Sequence, residues 1–397
     1  MKIRIVASGI AGLLALQASW TPAHAIPAFA RKHKFSCTTC HEPFPRLKAY
    51  GEDFAGDGFM LKEGEKPSDY TKTGDDLLRL NKTFPLAVRF DAFSVIDPDG
   101  AVRADLQTPW GVKILSGGAL TDKVGYYFYF YMSEKGEVAG VEDAYLHFND
   151  VFGSGVDVMA GQFQTSDPLL KRELRMTFED YMAYKIRPGM SSINLTYDRG
   201  LMFLYGVEKT GTDLTALVVN GSGIHGPKEG SSTVDDDDYK NVGFRLAQDV
   251  AGLFSVGGFY YSGKEVWAVE GGPEDRWGRN DVTYFGPDVS FGMGPMDVTA
   301  QFLRRTDSNP LFNASPEAET DNLIVECFLM PDRVKSRWAA TLLYNRVESD
   351  LSGFETYHTA TLNGSWLMAR NLKLGAEYTR DIENGKNRFV LGVMSGF

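Results

Sequence analysis

The chain has 397 residues and an acidic balance, with 41 Lys and Arg against 52 Asp and Glu, which argues against nucleic acid as a partner. Aromatic residues make up 13% of the chain and 42 residues are Gly, a composition typical of β-structure rather than of helical bundles. The mean hydropathy is only mildly negative, as expected for membrane strands that have one apolar and one polar face.

Residues 1–25 have the three parts of a secretory signal peptide. Lys2 and Arg4 form a basic start, residues 5–16 are apolar, and a small-residue site (AHA) ends at Ala25. The apolar stretch is too short to be an anchor through a hydrocarbon layer of about 30 Å. We therefore predict export, cleavage after Ala25, and a mature chain that can cross a membrane only with strands.

Residues 26–82 are predicted to form a monohaem cytochrome c segment, because Cys37, Cys40 and His41 make a CxxCH motif. Two thiols at this spacing can add to the two vinyl groups of one haem, and the adjacent His41 then ligates the iron as its proximal ligand. The competing interpretations are a redox-active CxxC, half of a zinc site and a plain disulfide. No βαβ pattern surrounds the motif and Cys327 is the one further thiol of the chain, so we predict a single covalent haem c.

The sequence leaves several candidates for the sixth ligand of the iron. Met60 follows a flexible loop long enough to reach the distal face, where a thioether raises the reduction potential relative to two histidines. The plain role of Met60 is packing against the haem or the barrel wall. His33 lies one helical turn before the motif, whereas His147, His225 and His358 lie in the region predicted below to be a barrel. An open or water-bound iron is the remaining alternative.

Residues 83–397 show the two-residue alternation of membrane strands, beginning with Leu86 and Val88 on one face and Ala87 and Arg89 on the other. About sixteen such runs predict an all-β fold, a transmembrane antiparallel β-barrel. The small cytochrome segment lacks a core of its own and is predicted to plug this barrel. The runs lie at residues 86–93, 110–115, 125–132, 142–148, 156–163, 200–208, 213–219, 241–248, 253–263, 281–291, 296–305, 321–330, 337–347, 356–367, 372–380 and 387–397.

The connections between the runs tend to alternate between short and long. The short connections are 120–123, 209–212, 249–252, 292–295 and 369–371, and the long ones include 164–199, 220–240, 264–280 and 306–320. Short periplasmic turns and long external loops are typical of outer-membrane barrels, and an even strand number puts both barrel ends on the periplasmic side. The terminal Phe397 on an amphipathic strand resembles the assembly signal of bacterial outer-membrane proteins.

Three further groups each have a functional and a plain interpretation. Tyr127, Tyr129 and Tyr131 share one strand face and could line a route for electrons or simply pack in the lumen. Residues 166–180 resemble a charged loop folded inward to narrow a pore, with an ordinary surface loop as the alternative. Residues 235–238 are all Asp and could collect Fe²⁺ or Ca²⁺ through their oxygens, or form a solvated loop.

The haem motif and its flanks resemble the fused monohaem cytochrome–porins of the outer membrane, the type implicated in extracellular iron oxidation. The resemblance rests on PAFARKHKFSCTTCH (27–41), FPRLKAYGEDF (44–54) and the pair Gly58-Phe59. The family has a similar P-x-F-A-R lead, CxxCH, F-P-x-L and downstream aromatic-Gly pair, here within YG of the second stretch. This chain departs from it in KHK (32–34), where a Gln-Thr-Gly-like stretch is usual, and in a shorter barrel. The run GVDVMAGQF also resembles phosphate-selective-type porins.

The resemblance implies haem ligation by Cys37, Cys40 and His41 and an electron-transfer role, with Fe(II) oxidase activity as the form it takes in this type. The leading hypothesis is an outer-membrane conduit that passes single electrons between an extracellular donor, Fe²⁺ by resemblance, and a periplasmic c-type cytochrome or other carrier. A single haem cannot span a layer of about 30 Å unless partners approach it from each end of the barrel. The alternatives are a solute-conducting porin with a periplasmic haem segment for sensing or tethering, and outward electron transfer to extracellular metal.

Overall fold

The computed structural model describes residues 28–62, 64, 70–166, 169–224, 233–235, 237–268 and 277–397, so the predicted signal peptide lies outside the described residues. Sixteen antiparallel strands close into a barrel in which β1 pairs with β16, which confirms the predicted fold class. The strands are β1 (Leu86–Ile96), β2 (Ala104–Ala119), β3 (Val124–Glu134), β4 (Gly140–Phe148), β5 (Val156–Gln164), β6 (Tyr197–Val207), β7 (Thr212–Val219), β8 (Asn241–Val250), β9 (Phe254–Ala268), β10 (Trp277–Met293), β11 (Met296–Asp307), β12 (Ala318–Leu329), β13 (Trp338–Ser349), β14 (Tyr357–Ala369), β15 (Leu372–Asp381) and β16 (Asn387–Gly396).

Three short helices precede the barrel: α1 (Ala28–His33), α2 (Cys37–Cys40) and α3 (Ala49–Gly56). Single 3₁₀ turns lie in later connections, at Val151–Gly153, Arg172–Leu174, Met182–Tyr184 and Arg333–Lys335. Within the described part of the chain, no helix has the length and apolar character needed to cross a bilayer.

The alternation of side chains along each strand separates a polar interior from an apolar exterior. On β12, Thr320, Asn322 and Glu326 are buried on the inner face, while Leu323 and Val325 on the outer face are partly exposed. Successive residues of a strand point to opposite faces. A slip of one residue would therefore turn the polar side chains of a strand toward lipid, so the pattern fixes the register of each strand. The arrangement is that of a barrel whose outside contacts lipid.

The shortest connections lie at one end of the barrel and the longest at the other, as predicted, but the connection predicted at 264–280 is shorter because β9 extends to Ala268 and β10 begins at Trp277. The turns after β2, β6, β8, β10 and β14 are short, whereas the connection between β5 and β6 spans 165–196 and the one between β7 and β8 spans 220–240. The start of β1 and the end of β16 lie side by side, because Arg89 pairs with Gly396. Both lie at the end of the barrel that has the short turns. We call this the short-turn end.

The amino-terminal segment, residues 28–62, enters the barrel at the short-turn end. Phe59 stacks on Tyr127 of β3 with ring centroids 4.5 Å apart. Gly58 has a positive φ of 68° and packs against Gly125, where an added Cβ would lie 2.3 Å from the Gly58 carbonyl oxygen. Only glycines permit this close approach of segment and wall.

The connection 165–196, here called the lumen loop, folds into the barrel. Tyr181, Tyr184, Ile193 and Leu195 of this loop are buried in the main hydrophobic core. They pack there against inward residues of the far wall, including Leu217, Phe259, Val282, Leu303 and Leu343. Within residues 166–180, Met176, Thr177 and Glu179 are also buried, so of the two interpretations of this stretch the inward fold is correct.

Candidate functional site

A cavity of about 230 Å³ that is partly open to solvent lies between the amino-terminal segment, the inner barrel wall and the lumen loop. We call it the mouth cavity. Cys37, Cys40 and His41 all line it. The three residues that the sequence singles out therefore meet at one cavity inside the short-turn end.

The walls of the mouth cavity are rich in aromatic side chains. The amino-terminal segment and the inner face of β3 and β4 both contribute rings, from Phe29, Phe35, Phe44, Phe54, Phe59, Tyr127, Tyr129 and Tyr145. Several of these rings touch one another, as Phe29 does with Phe54 and Phe59 at centroid distances of 5.4 and 5.0 Å. A large flat apolar group finds matching surface in such a cavity.

The local backbone brings both thiols to one side of a single helical turn. Ser36 caps α2, its Oγ accepting a hydrogen bond from the Thr38 amide at 3.4 Å. Residues three apart on a helix share a face, which places Cys37 and Cys40 together. The His41 amide donates to the Cys37 carbonyl at 2.8 Å, and the chain then turns into an extended conformation at His41.

The ring of His41 is held by its Nδ1 atom. This nitrogen lies 3.0 Å from the Pro45 carbonyl oxygen and 3.3 Å from that of Arg46. Carbonyl oxygens only accept, so Nδ1 carries the proton and Nε2 has the free lone pair that a metal ligand uses. Burial is the largest effect on the pKa of His41 and lowers it, which favours the neutral, ligand-competent ring.

The loop after His41 is closed by its own hydrogen bonds. His41 forms an isolated bridge with Leu47, and the Lys48 amide donates to the Cys40 carbonyl at 2.9 Å. Phe44 packs edge-on against the His41 ring with centroids 5.5 Å apart. Gly51 of α3 lies so near that an added Cβ would be 2.4 Å from the Cys40 carbonyl oxygen. The F-P-x-L and aromatic-Gly residues thus build the backbone cradle of the histidine.

Neither thiol has the character of an activated redox cysteine. Burial is the largest effect on the pKa of Cys37 and of Cys40 and raises both values, whereas reactive CxxC thiols have lowered pKa values. Cys37 and Cys40 do not form a disulfide bond with each other in the structure. Among the described residues, no group of three or more His, Cys, Asp and Glu side chains is arranged to hold a metal ion.

A charged cluster borders the mouth cavity on the side of the lumen loop. Glu173 lines the cavity, and its carboxylate accepts hydrogen bonds from Lys113 and from the Tyr131 hydroxyl, each at 3.0 Å. Arg89 donates to the Glu173 backbone carbonyl at 3.1 Å. A carboxylate that is largely shielded from water, as this one is, needs such cationic and hydroxyl partners. Sequence reasoning marked the loop as charged but missed this role, because the partners lie on β1, β2 and β3.

Met60 is buried, and its sulfur lies 3.9 Å from the Asn149 amide nitrogen, in the turn after β4. It is not among the residues that line the mouth cavity. His147 is also buried, 3.9 Å from the Asp157 carboxylate, and His358 contacts Tyr344. Among the described residues that line the cavity, His41 supplies the single imidazole and none is Met. His225 lies outside the described residues.

The comparisons with known proteins concern the barrel. No protein-family model matches the chain, and no curated protein matches it. The solved structures that resemble it include OmpT, an outer membrane protein of Vibrio cholerae, at 14% identity and a TM-score of 0.55, with 79% of this chain and 99% of OmpT covered. An anion-selective porin from Comamonas acidovorans has 11% identity, a TM-score of 0.58 and coverage of 79% and 99%.

A third similar structure is the outer membrane channel DcaP of Acinetobacter baumannii, at 17% identity and a TM-score of 0.52, covering 79% of this chain and 96% of DcaP. At such low identities the likeness is one of fold. The chain thus has a porin-like sixteen-stranded barrel, as the sequence predicts.

Proposed function

We propose that this protein is an outer-membrane electron conduit, which passes single electrons between an extracellular donor and a periplasmic carrier through one covalent haem c in the barrel mouth. The observation that carries the proposal is the position of the CxxCH residues. Cys37, Cys40 and His41 line a cavity walled by the barrel itself, whereas a sensing or tethering segment has no need to enter the lumen.

The residues present fit a haem. Cys37 and Cys40 would form the two thioether bonds, and His41, with Nδ1 bonded to carbonyl oxygens, would offer Nε2 to the iron. The aromatic walls offer a porphyrin an apolar surface. Haem c, when bound, supplies a carrier of one electron at a time. Met60 stays a candidate distal ligand only through a rearrangement, because its sulfur faces Asn149.

The chain's other residues hold the segment in place and keep water out. Arg46 donates to Glu326 of β12 at 2.8 Å, and Lys171 of the lumen loop pairs with Glu52 of α3. Above the cavity, the lumen loop fills the barrel with buried apolar side chains such as Tyr184 and Leu195. A barrel filled in this way favours passage of electrons over passage of solutes.

Fe²⁺ is the proposed extracellular donor and a c-type cytochrome the proposed periplasmic acceptor. Both follow from the resemblance of the haem motif and its flanks to cytochrome–porins. In the net reaction one Fe²⁺ loses an electron to become Fe³⁺ and one ferric acceptor gains it. Electron flow in the opposite sense, toward extracellular metal, uses the same architecture.

A solute porin is the second candidate, and the porin-like barrel favours it. The similar structures include an anion-selective porin and an outer membrane channel. The filled lumen argues against this alternative, since large open channels leave the barrel interior to water.

Proteoliposomes distinguish the two candidates. Purified protein is placed in vesicles that contain a ferric c-type cytochrome, and Fe²⁺ is added outside. We expect the enclosed cytochrome to be reduced with the wild-type protein but not with a Cys37→Ser/Cys40→Ser variant, while small sugars stay excluded in both. Ready entry of sugars without reduction of the enclosed cytochrome would overturn the conduit in favour of the porin.

A further inference from the structure

The linker between the amino-terminal segment and β1 contains a small loop, residues 70–82, fastened at its base. Tyr70 and Asn81 form an isolated bridge, and the Thr71 amide donates to the Leu80 carbonyl at 2.8 Å. The Asn81 side chain donates to the carbonyl of Ala119, the last residue of β2, at 2.9 Å. The loop is therefore attached to the barrel rim at the short-turn end.

This loop presents apolar side chains outward. Leu77 is 94% exposed, and Leu78 and Leu80 are 45% and 44% exposed. Hydrogen bonds within the loop hold this arrangement, with the Leu77 amide donating to the Asp75 carboxylate at 2.9 Å. Three leucines within four residues, fixed in an exposed position, form an apolar surface that water solvates poorly.

The chain after the loop passes onto the outer surface of the barrel. Phe84 is 64% exposed and stacks near Tyr126 and Phe128, with centroid distances of 6.4 and 6.3 Å. Tyr127 and Tyr129, which alternate with these two residues along β3, face the mouth cavity, so Tyr126 and Phe128 point outward, as strand alternation requires. Residues 81–84 thus run from the end of β2 to the outer face of β3.

The charges of the loop suit the headgroup region of a bilayer. The loop has three basic residues, Lys72, Arg79 and Lys82, and two acidic residues, Asp75 and Asp76. It therefore carries an excess of one positive charge. Arg79 lies over the Tyr70 ring, 5.4 Å from its centroid. Apolar side chains flanked by aromatic and basic residues are the composition of segments that lie in a membrane interface.

We propose that residues 70–84 form an interfacial anchor, whose leucines insert into the phospholipid leaflet at the short-turn end. Lipid is the molecule that covers the exposed leucines. Phe84 extends their apolar surface onto the outer face of β3, and that face contacts the bilayer. The anchor holds residues 70–84 at the barrel rim, directly before β1. This role goes beyond electron transfer and holds whether or not the mouth cavity binds haem.

Spin labels on single cysteines test the anchor. The parent is the full chain with Cys37→Ser, Cys40→Ser and Cys327→Ser, which has no cysteine to label whether or not haem binds. Leu77→Cys, Thr73→Cys and Leu214→Cys are added to it one at a time. Thr73 is an exposed polar position of the same loop, and Leu214 is an exposed apolar position of β7. Each protein is placed in vesicles of phosphatidylethanolamine and phosphatidylglycerol, and collision of the label with oxygen and with a water-soluble nickel chelate is measured.

We expect the ratio of oxygen to nickel accessibility to be severalfold higher at position 77 than at position 73, and similar to that at position 214. A ratio at position 77 equal to that at position 73 would show a loop in water and overturn the anchor. Protection of position 77 from both reagents would also overturn it, since protein and not lipid would then cover the leucines.

Discussion

At the scale of single residues, the site depends on how the backbone around the CxxCH motif is packed. Two carbonyl oxygens, of Pro45 and Arg46, hold Nδ1 of His41. Gly51 makes room for the Cys40 carbonyl by having no Cβ. The glycine of the aromatic-Gly pair is thus explained by a contact, because any larger residue would push α3 away from the motif.

We expect Gly51→Ala to destabilise the packing of α3 on the motif by about 1–3 kcal/mol, the usual cost of inserting a methyl group into a packed site. Gly56→Ala is the matched control on the same helix, because nothing lies within 4 Å of its added Cβ. The control should be neutral or stabilising, by up to about 1 kcal/mol. Amide hydrogen exchange of residues 37–56 measures both effects, and equal exchange in the two variants would contradict the prediction.

At the scale of elements, the amino-terminal segment is held by ion pairs to the barrel wall and the lumen loop. Arg46 lies 2.8 Å from Glu326, whose other carboxylate oxygen accepts from the Tyr181 hydroxyl at 2.6 Å. The guanidinium also stacks on Phe328 at 4.6 Å. Segment, lumen loop and β12 therefore share one buried carboxylate, which couples the positions of all three.

Replacing Arg46 tests this coupling. Arg46→Gln leaves the buried Glu326 without its cation, and we expect a loss of about 3–5 kcal/mol in the free energy that holds the segment in the barrel. Lys62→Gln is the control, because its partner Glu208 lies 3.6 Å away with both side chains largely exposed, and such pairs contribute about 0–1 kcal/mol. Protease cleavage of the segment in folded barrels compares the two, and similar cleavage rates would count against a coupled carboxylate.

At the scale of the whole molecule, the barrel has the outline of a porin but a filled interior. The lumen loop joins inward residues of β5 to β7 and of β9 to β13 in one apolar core. Glu179 of this loop adds ion pairing with Arg388 of β16. The loop therefore contacts opposite sides of the barrel, through apolar packing on one side and ion pairs on the other.

Deleting residues 172–193 should open the barrel. We expect single-channel conductance in planar bilayers to rise severalfold over the wild-type protein, because the apolar side chains that fill the lumen are removed. Deletion of residues 383–385, in an exposed hairpin turn at the same end of the barrel as the lumen loop, is the control and should leave the conductance unchanged. A wild-type conductance already equal to that of the loop deletion would contradict the filled lumen.

The sequence by itself determined the strands, because alternation is a local property that each residue shares with its neighbours. All sixteen predicted runs overlap strands of the structure. The longest and shortest connections were predictable as well, because they are the segments left between the runs. The CxxCH motif is local as well, since its spacing alone places Cys37, Cys40 and His41 on one turn of chain.

Only the tertiary structure decided what lies inside the barrel. The inward fold of the lumen loop depends on contacts between residues far apart in sequence, such as Glu173 with Lys113. Met60 was within reach of the site by chain length, yet tertiary packing puts its sulfur beside Asn149. The outward leucines of residues 70–82 have no periodic pattern, so their exposure follows from how the linker is fastened to the rim. The strands and the haem motif follow from residues that are neighbours in sequence. Which of these parts come into contact depends on packing between residues far apart in sequence.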